Sequence, residues 1–315
     1  MKLLRGLREQ STLETGSVAT VGNFDGVHLG HQSIVRHVVQ KANELGIPSV
    51  VILFEPQPQE FFTPDKAPAR IMRFREKYLY LESLGIDYLL CLAFNRKLAE
   101  LSAEDFVEQV LSRRLKVKHL IVGDDFTFGR GRKGNFEFLE KRGRAIGFGV
   151  QDTASVLISK ERVSSTLIRQ YLAQSDFKTA EKMLGRPFEF NGKVCYGQQL
   201  GRQLGVPTIN LPIARRKTPI HGTFIVEISV EGDPRLYQGV SSLGTRPTVN
   251  GKGILLEVHL FDFDRMIYGS KVKVRPLQKI RDEQKFPNLD TLKARIFEDI
   301  KIAKEYFEAQ KVLSI

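Results

Sequence analysis

The apolar residues of this chain change their spacing near Gly185-Arg186-Pro187, where glycine and proline together form a stop signal. Before that point, near-continuous apolar runs such as Ser49-Val50-Val51-Ile52-Leu53-Phe54 alternate with stretches whose apolar residues recur at helical spacing. Strands are predicted over 16–21, 48–54, 88–94 and 119–123, and helices over 32–44, 73–84, 103–111 and 176–184. This rhythm predicts an α/β domain whose parallel sheet is covered by helices on both faces. After it, Phe224, Val226, Ile228 and Val230 stand against Thr223, Glu227 and Ser229, and Ile254, Leu256, Val258 and Leu260 against Glu257 and His259. Period two marks half-buried antiparallel strands. With short turns at Glu231–Pro234 and Asn250–Gly253, they predict a small antiparallel β-barrel. A terminal helix is expected over about residues 288–310, with Leu292, Ile296, Ile300 and Tyr306 on one side. The expected domains are therefore 1–186 and 187–315.

A length of 315 residues suffices for two separate cores. No run approaches the roughly 18 apolar residues of a membrane span, and no apolar leader follows Met1-Lys2-Leu3-Leu4-Arg5-Gly6. A cytoplasmic protein without membrane contact is expected. Cys91 and Cys195, each in an apolar run, suit buried thiols in a reducing compartment. The 48 basic against 36 acidic residues give a net charge of +12, which suits nucleic acid, anionic membrane or phosphorylated small molecules. The basic residues are scattered, so charge alone does not choose among them.

Chemistry concentrates in Gly22-Asn23-Phe24-Asp25-Gly26-Val27-His28-Leu29-Gly30-His31, between a predicted strand and helix. A helix start offers unpaired N–H groups and a positive dipole end, hence an anion site. His28 and His31, three residues apart, share one helix face there. The segment lacks the glutamate and spacing of a zinc-protease helix, and no cysteine cluster completes a zinc site. Val163-Ser164-Ser165-Thr166-Leu167-Ile168-Arg169 sets three hydroxyls and a guanidinium at another helix start, more than a cap requires.

These segments resemble the His-x-Gly-His and Ser-Ser-Thr-x-Ile-Arg motifs of the nucleotidyltransferase superfamily, in the form found in prokaryotic FAD synthetases. The resemblance implies a Rossmann-like fold and adenylyl transfer from ATP to FMN with release of pyrophosphate. It implies that His28 and His31 steady charge on the α-phosphate, and that Gly22, Asn23, Phe24, Asp25, Ser164, Ser165, Thr166 and Arg169 receive ATP. Asp125, Phe126 and Phe128, in Gly123-Asp124-Asp125-Phe126-Thr127-Phe128, resemble a family segment near nucleotide and flavin. Gln57 stands where the family usually has histidine.

Gly201-Arg202-Gln203-Leu204-Gly205-Val206-Pro207-Thr208-Ile209-Asn210 forms a second cluster. Thr208 and Asn210, at i and i+2 of an extended segment, offer oxygen ligands of the kind Mg²⁺ takes beside phosphates. The cluster resembles the signature of riboflavin kinase, with Ile209 for the usual alanine. That resemblance implies ATP and flavin contacts at Gly201, Leu204, Gly205, Pro207 and Arg281, an Mg²⁺ site at Thr208 and Asn210, and Glu257 as the base for riboflavin. Ser242 stands where the family often has asparagine. No Walker A motif occurs, so any kinase here uses another scaffold.

The combined resemblance covers residues 15–310 and implies a bifunctional riboflavin kinase/FAD synthetase with ATP, riboflavin and FMN as substrates. A monomer or weak transient oligomer, not bound to nucleic acid, is expected. The rival readings are an adenylyltransferase with an inactive kinase barrel and a basic nucleic-acid-binding protein.

Overall fold

The computed structural model describes residues 1–7, 13–197, 200–215, 217–248 and 251–313. It divides into two compact units, Met1–Ser165 and Thr166–Ile315.

The first unit is built on a six-stranded parallel sheet of β1 (Lys2–Arg5), β2 (Ser17–Val21), β3 (Ser49–Glu55), β4 (Tyr88–Ala93), β5 (Val117–Gly123) and β6 (Gly149–Thr153), in the order β1-β4-β3-β2-β5-β6. Its helices are α1 (Leu29–Leu45), α2 (Pro58–Phe62), α3 (Phe74–Ser83), α4 (Arg96–Ala99), α5 (Ala103–Phe106) and α6 (Phe136–Ile146). Successive strand residues face opposite sides of a sheet, so the apolar strands feed two cores. Val50, Ile52, Leu90, Leu92, Leu120 and Val122 pack with Phe106, Val110 and Leu139. Val51, Leu53, Leu89 and Ile121 pack with Val35, Val38 and Leu81 of α1 and α3. The predicted helix over 103–111 differs in detail: α5 widens into a π-helical segment, Val107–Arg114, that buries Val107, Val110 and Leu111. A small hairpin, β7 (Leu157–Ile158) and β8 (Glu161–Arg162), precedes α7 (Ser165–Ala173). Helix α7 begins at the last residue of this unit and continues into the second.

In the second unit, α8 (Phe177–Leu184) leads into β9 (Phe190–Lys193), α9 (Leu200–Gln203), β10 (Ile209–Ile213), β11 (Gly222–Val230), β12 (Leu236–Thr248), β13 (Gly251–Leu260), β14 (Lys271–Arg281) and α10 (Leu289–Leu313). The six strands pair antiparallel in the order β10-β13-β12-β11-β14-β9. Beyond β9, the Cys195 N–H donates to the Asn210 carbonyl at 2.8 Å, drawing the two edges toward closure. The result is the near-closed barrel expected from the alternation. Ala303 and Phe307 of α10 cover Ile225, Val240 and Phe261. In the predicted turn Asn250–Gly253, Asn250 lies outside the described residues. Cys91 and Cys195 are free thiols, half-buried rather than fully buried as expected.

Candidate active sites

Strand β2 delivers the chain into a turn that ends at the start of α1. Phe24 and Val27 adopt left-handed backbone angles there, φ +47° and +37°. This is a strained choice, most of all for the β-branched valine, and the surroundings must enforce it. Several contacts do so. The Asp25 carboxylate accepts the Ile71 and Met72 N–H groups at 3.1 Å, Gln32 Nε2 donates to the Val27 carbonyl at 2.9 Å, and Ser165 Oγ donates to the Asp25 carbonyl at 2.8 Å.

His28 caps α1, its Nδ1 accepting the His31 N–H at 3.4 Å. In the neutral ring this places the proton on Nε2, which can donate. The two imidazoles stack with centroids 3.6 Å apart, and the Phe24 ring lies 4.9 Å from that of His31. Gly30 permits the arrangement: a Cβ there would press to 3.2 Å from the His28 ring.

His28 and His31 line a cavity of about 480 Å³ together with Gly22, Phe24, Asp125, Phe126, Ser164 and Ser165. Three sequence-distant segments thus meet in one site. Asp25 lies buried beneath the loop, and Phe128 stacks under Phe126 at 5.5 Å with its other side in the core. Asn23 holds Lys77 through its carbonyl, the Lys77 Nζ donating at 3.0 Å. Thr166 and Arg169 follow on α7, within the second compact unit.

Sequence reasoning missed Ser155 and Arg162, which also line the cavity. Arg162 pairs with Asp124 at 2.7 Å and Asp125 at 3.2 Å, while Ser155 Oγ donates to Asp124 at 2.7 Å. A basic residue two positions before the serine pair was the available signal. Gln57, also buried, sits at the cap of α2. Next to it, Arg70 binds both Glu55 and Glu60, which hold its guanidinium above its ordinary range despite the opposing effect of burial.

In the barrel, strand register assembles a second site. Asn210 on β10 lies opposite Glu257 on β13, which lies opposite Ser242 on β12, which lies opposite Thr223 on β11. Directly opposed residues share a face, so an amide, a carboxylate and two hydroxyls form one polar row. Asn210 is buried, and a Cβ at Gly197 would fall 2.4 Å from its amide nitrogen, so glycine is required there. Thr208 is held near the row because His259 Nδ1 donates to the Pro207 carbonyl at 2.8 Å. Burial lowers the pKa of this histidine. The Val206 N–H donates to the Gly201 carbonyl at 2.7 Å, folding the loop that carries Leu204 and Gly205 back on itself. Arg281 ends β14 with its guanidinium bonded to Asp299 of α10 at 2.9–3.1 Å and stacked over Phe286.

Comparison with known proteins matches residues 10–167 to the FAD synthetase family and residues 184–307 to the riboflavin kinase family. A bifunctional riboflavin kinase/FMN adenylyltransferase of Haemophilus influenzae is 46% identical over 309 residues, covering 98% of this chain and all of that protein. The chain belongs to this bifunctional family. Its Escherichia coli relative of the same name is 45% identical, covering 99% of both chains, and one from Pseudomonas fluorescens is 47% identical, covering 96% and 97%. A solved structure described as a macrolide-efflux protein from Streptococcus pneumoniae superposes with a TM-score of 0.78 at 29% identity, covering 96% of this chain and 99% of that one. Among the described residues of the present family member, no helix is long and apolar enough to cross a membrane. Riboflavin kinase and FMN adenylyltransferase activities therefore reside on one chain, and both are ATP-dependent transferases of flavin biosynthesis.

Proposed function

We propose that residues 1–186 adenylylate FMN and residues 187–315 phosphorylate riboflavin. The family matches support a boundary between 167 and 184 or just beyond. Helix α8 packs with the barrel, Phe177 meeting Phe224 and Glu181 pairing with Arg275. Thr166 and Arg169 of the phosphate motif lie on α7, which precedes α8, so the functional boundary is drawn after both helices.

The observation that carries the first assignment is the convergence of the histidine loop, the Asp125–Phe126 segment and the Ser164–Ser165 helix start on one cavity. ATP binds there with its phosphates toward the α1 and α7 starts, contacted by Gly22, Asn23, Phe24, Asp25, Ser164, Ser165, Thr166 and Arg169. An FMN phosphate oxygen attacks the α-phosphorus and pyrophosphate leaves. His28 and His31 donate hydrogen bonds to the charge that accumulates in the transition state. Asp125, Phe126 and Phe128 shape the nucleotide and flavin end.

In the barrel, Glu257 takes the proton from the terminal ribityl hydroxyl as that oxygen attacks the γ-phosphorus of ATP, with ADP leaving. Gly201, Leu204, Gly205, Pro207 and Arg281 frame the nucleotide and flavin. Thr208 and Asn210 fit Mg²⁺: they are neutral oxygen donors, and among the described residues no cluster of acidic, histidine and cysteine side chains offers a protein cage. A bound Mg²⁺ would neutralise phosphate charge. Its partners are small molecules, and we place the protein in the cytoplasm as a monomer or weak transient oligomer without nucleic acid. Surface arginines already paired with acids, such as Arg96 with Glu100 and Arg144 with Glu140, support that reading over a nucleic-acid platform.

Adenylylation of supplied FMN by His28→Ala and by His31→Ala tests the first site. Loss of one transition-state donor lowers kcat by about 10²- to 10³-fold; wild-type rates in both variants would overturn it.

A further inference from the structure

Lys77 projects from α3 into the first unit and is only 1% exposed. Its Nζ donates to the Asn23 backbone carbonyl at 3.0 Å, at the base of the loop that carries His28 and His31. Burial holds this amine below its ordinary pKa range, with the Asp25 carboxylate acting in the opposite direction. Burying an amine is costly, and one hydrogen bond to a neutral carbonyl returns only part of that cost. A position that served packing alone would be better filled by an apolar side chain.

What the amine grips explains its presence. Asn23 immediately precedes Phe24, the first of the two left-handed non-glycine residues of the turn, and Asp25 is anchored to the segment before α3 through Ile71 and Met72. Helix α3 therefore holds the strained turn from below, while Gln32 and Ser165 hold it farther along. The stacked imidazoles begin one residue after Val27, so a shift of the turn moves both.

We propose that Lys77 is a positioning residue for adenylyl transfer, clamping the Asn23–Val27 turn so that His28 and His31 meet the α-phosphate. This rests on the role of the two histidines proposed for the first site. A misplacement near 1 Å can cost about 10²-fold in rate. The ATP contacts proposed for Asn23, Phe24 and Asp25 lie in the same turn and shift with it, and Ser165 is tied to that turn through the Asp25 carbonyl, so the loss of Lys77 is read in kcat together with a rise in the KM for ATP.

The test is a double-mutant cycle on the full-length protein, with adenylylation of supplied FMN as the rate and riboflavin phosphorylation as the folding control. Lys77→Met should lower the adenylylation kcat by about 10- to 100-fold and leave the kinase rate unchanged. Lys77→Arg, which retains a charged donor, should recover much of the loss. In the Lys77→Met background, His28→Ala should cost far less than it does alone, because a misplaced imidazole has little left to lose. If His28→Ala alone is costly and the two losses simply multiply, Lys77 does not act through the histidine and the inference fails. If His28→Ala alone costs nothing, the assignment of the histidine fails instead. Should Lys77→Met not yield folded protein, Lys77→Gln takes its place in the cycle: a reduced cost of His28→Ala supports the clamp, and simple multiplication overturns it.

Discussion

At the residue scale, the role proposed for Glu257 rests on a carboxylate placed by strand register. Glu257→Gln keeps size and hydrogen-bonding capacity but removes the proposed proton acceptor. FMN formation should fall by about 10²- to 10⁴-fold, with riboflavin binding nearly intact. A retained kinase rate would leave Glu257 an ordinary strand residue. Replacing Thr208 with Val and Asn210 with Leu deletes two oxygen donors at nearly constant volume. The magnesium concentration needed for half-maximal kinase activity should rise steeply, and an unchanged titration would remove these residues from the metal site. The sequence shows these residue types but not their alignment. Asn210 and Thr208 are adjacent enough to be read as a pair, whereas the row Asn210–Glu257–Ser242 exists only once β10, β13 and β12 are in register. Lys77 is invisible in the sequence for the same kind of reason: a lysine on a helix normally faces water, and only the packing of α3 shows that this one is buried.

At the element scale, legibility follows burial. Strands β2, β3, β4 and β5 are covered on both faces and read as apolar runs. The edge strands β1 and β6 carry exposed polar residues such as Lys2, Gln151 and Asp152, so no hydrophobic signal marks them. Helix α6, amphipathic and capped by Asn135, escapes the sequence reading because the basic loop before it has the character of a solvated turn. The terminal helix is legible, but its anchor is not. Asp299, 2% exposed, is gripped by Arg281 and also pairs with Arg295 at 3.2 Å, tying α10 to the end of β14. Removing one partner of a buried pair typically costs about 3–5 kcal/mol because the other charge stays buried. Asp299→Ala should therefore lower the barrel's resistance to urea by that order, read as a shift in the unfolding midpoint. A loss below about 1 kcal/mol, the range of exposed pairs, would show that the interaction is effectively solvated.

At the scale of the whole molecule, two reactions in series share one chain, and the product of the barrel reaction is the substrate of the other. The change in hydrophobic period foretells two architectures, and the motifs foretell which chemistry belongs to each. The convergence of residues 22–31, 123–126 and 162–165 on one cavity is not legible, because it depends on how parallel strands order themselves as β1-β4-β3-β2-β5-β6. In such sheets the loops beyond the carboxyl ends of neighbouring strands meet; here β2 and β5 are adjacent, which brings His28 beside Phe126. Separate sites predict separable losses. The most direct measurement is chromatographic analysis of the flavins formed from riboflavin and Mg-ATP by the chain carrying both His28→Ala and His31→Ala. The account predicts that FMN accumulates at the parent rate while FAD is suppressed by at least about 10²-fold. FAD formed at the parent rate, or equal loss of FMN and FAD, would contradict it.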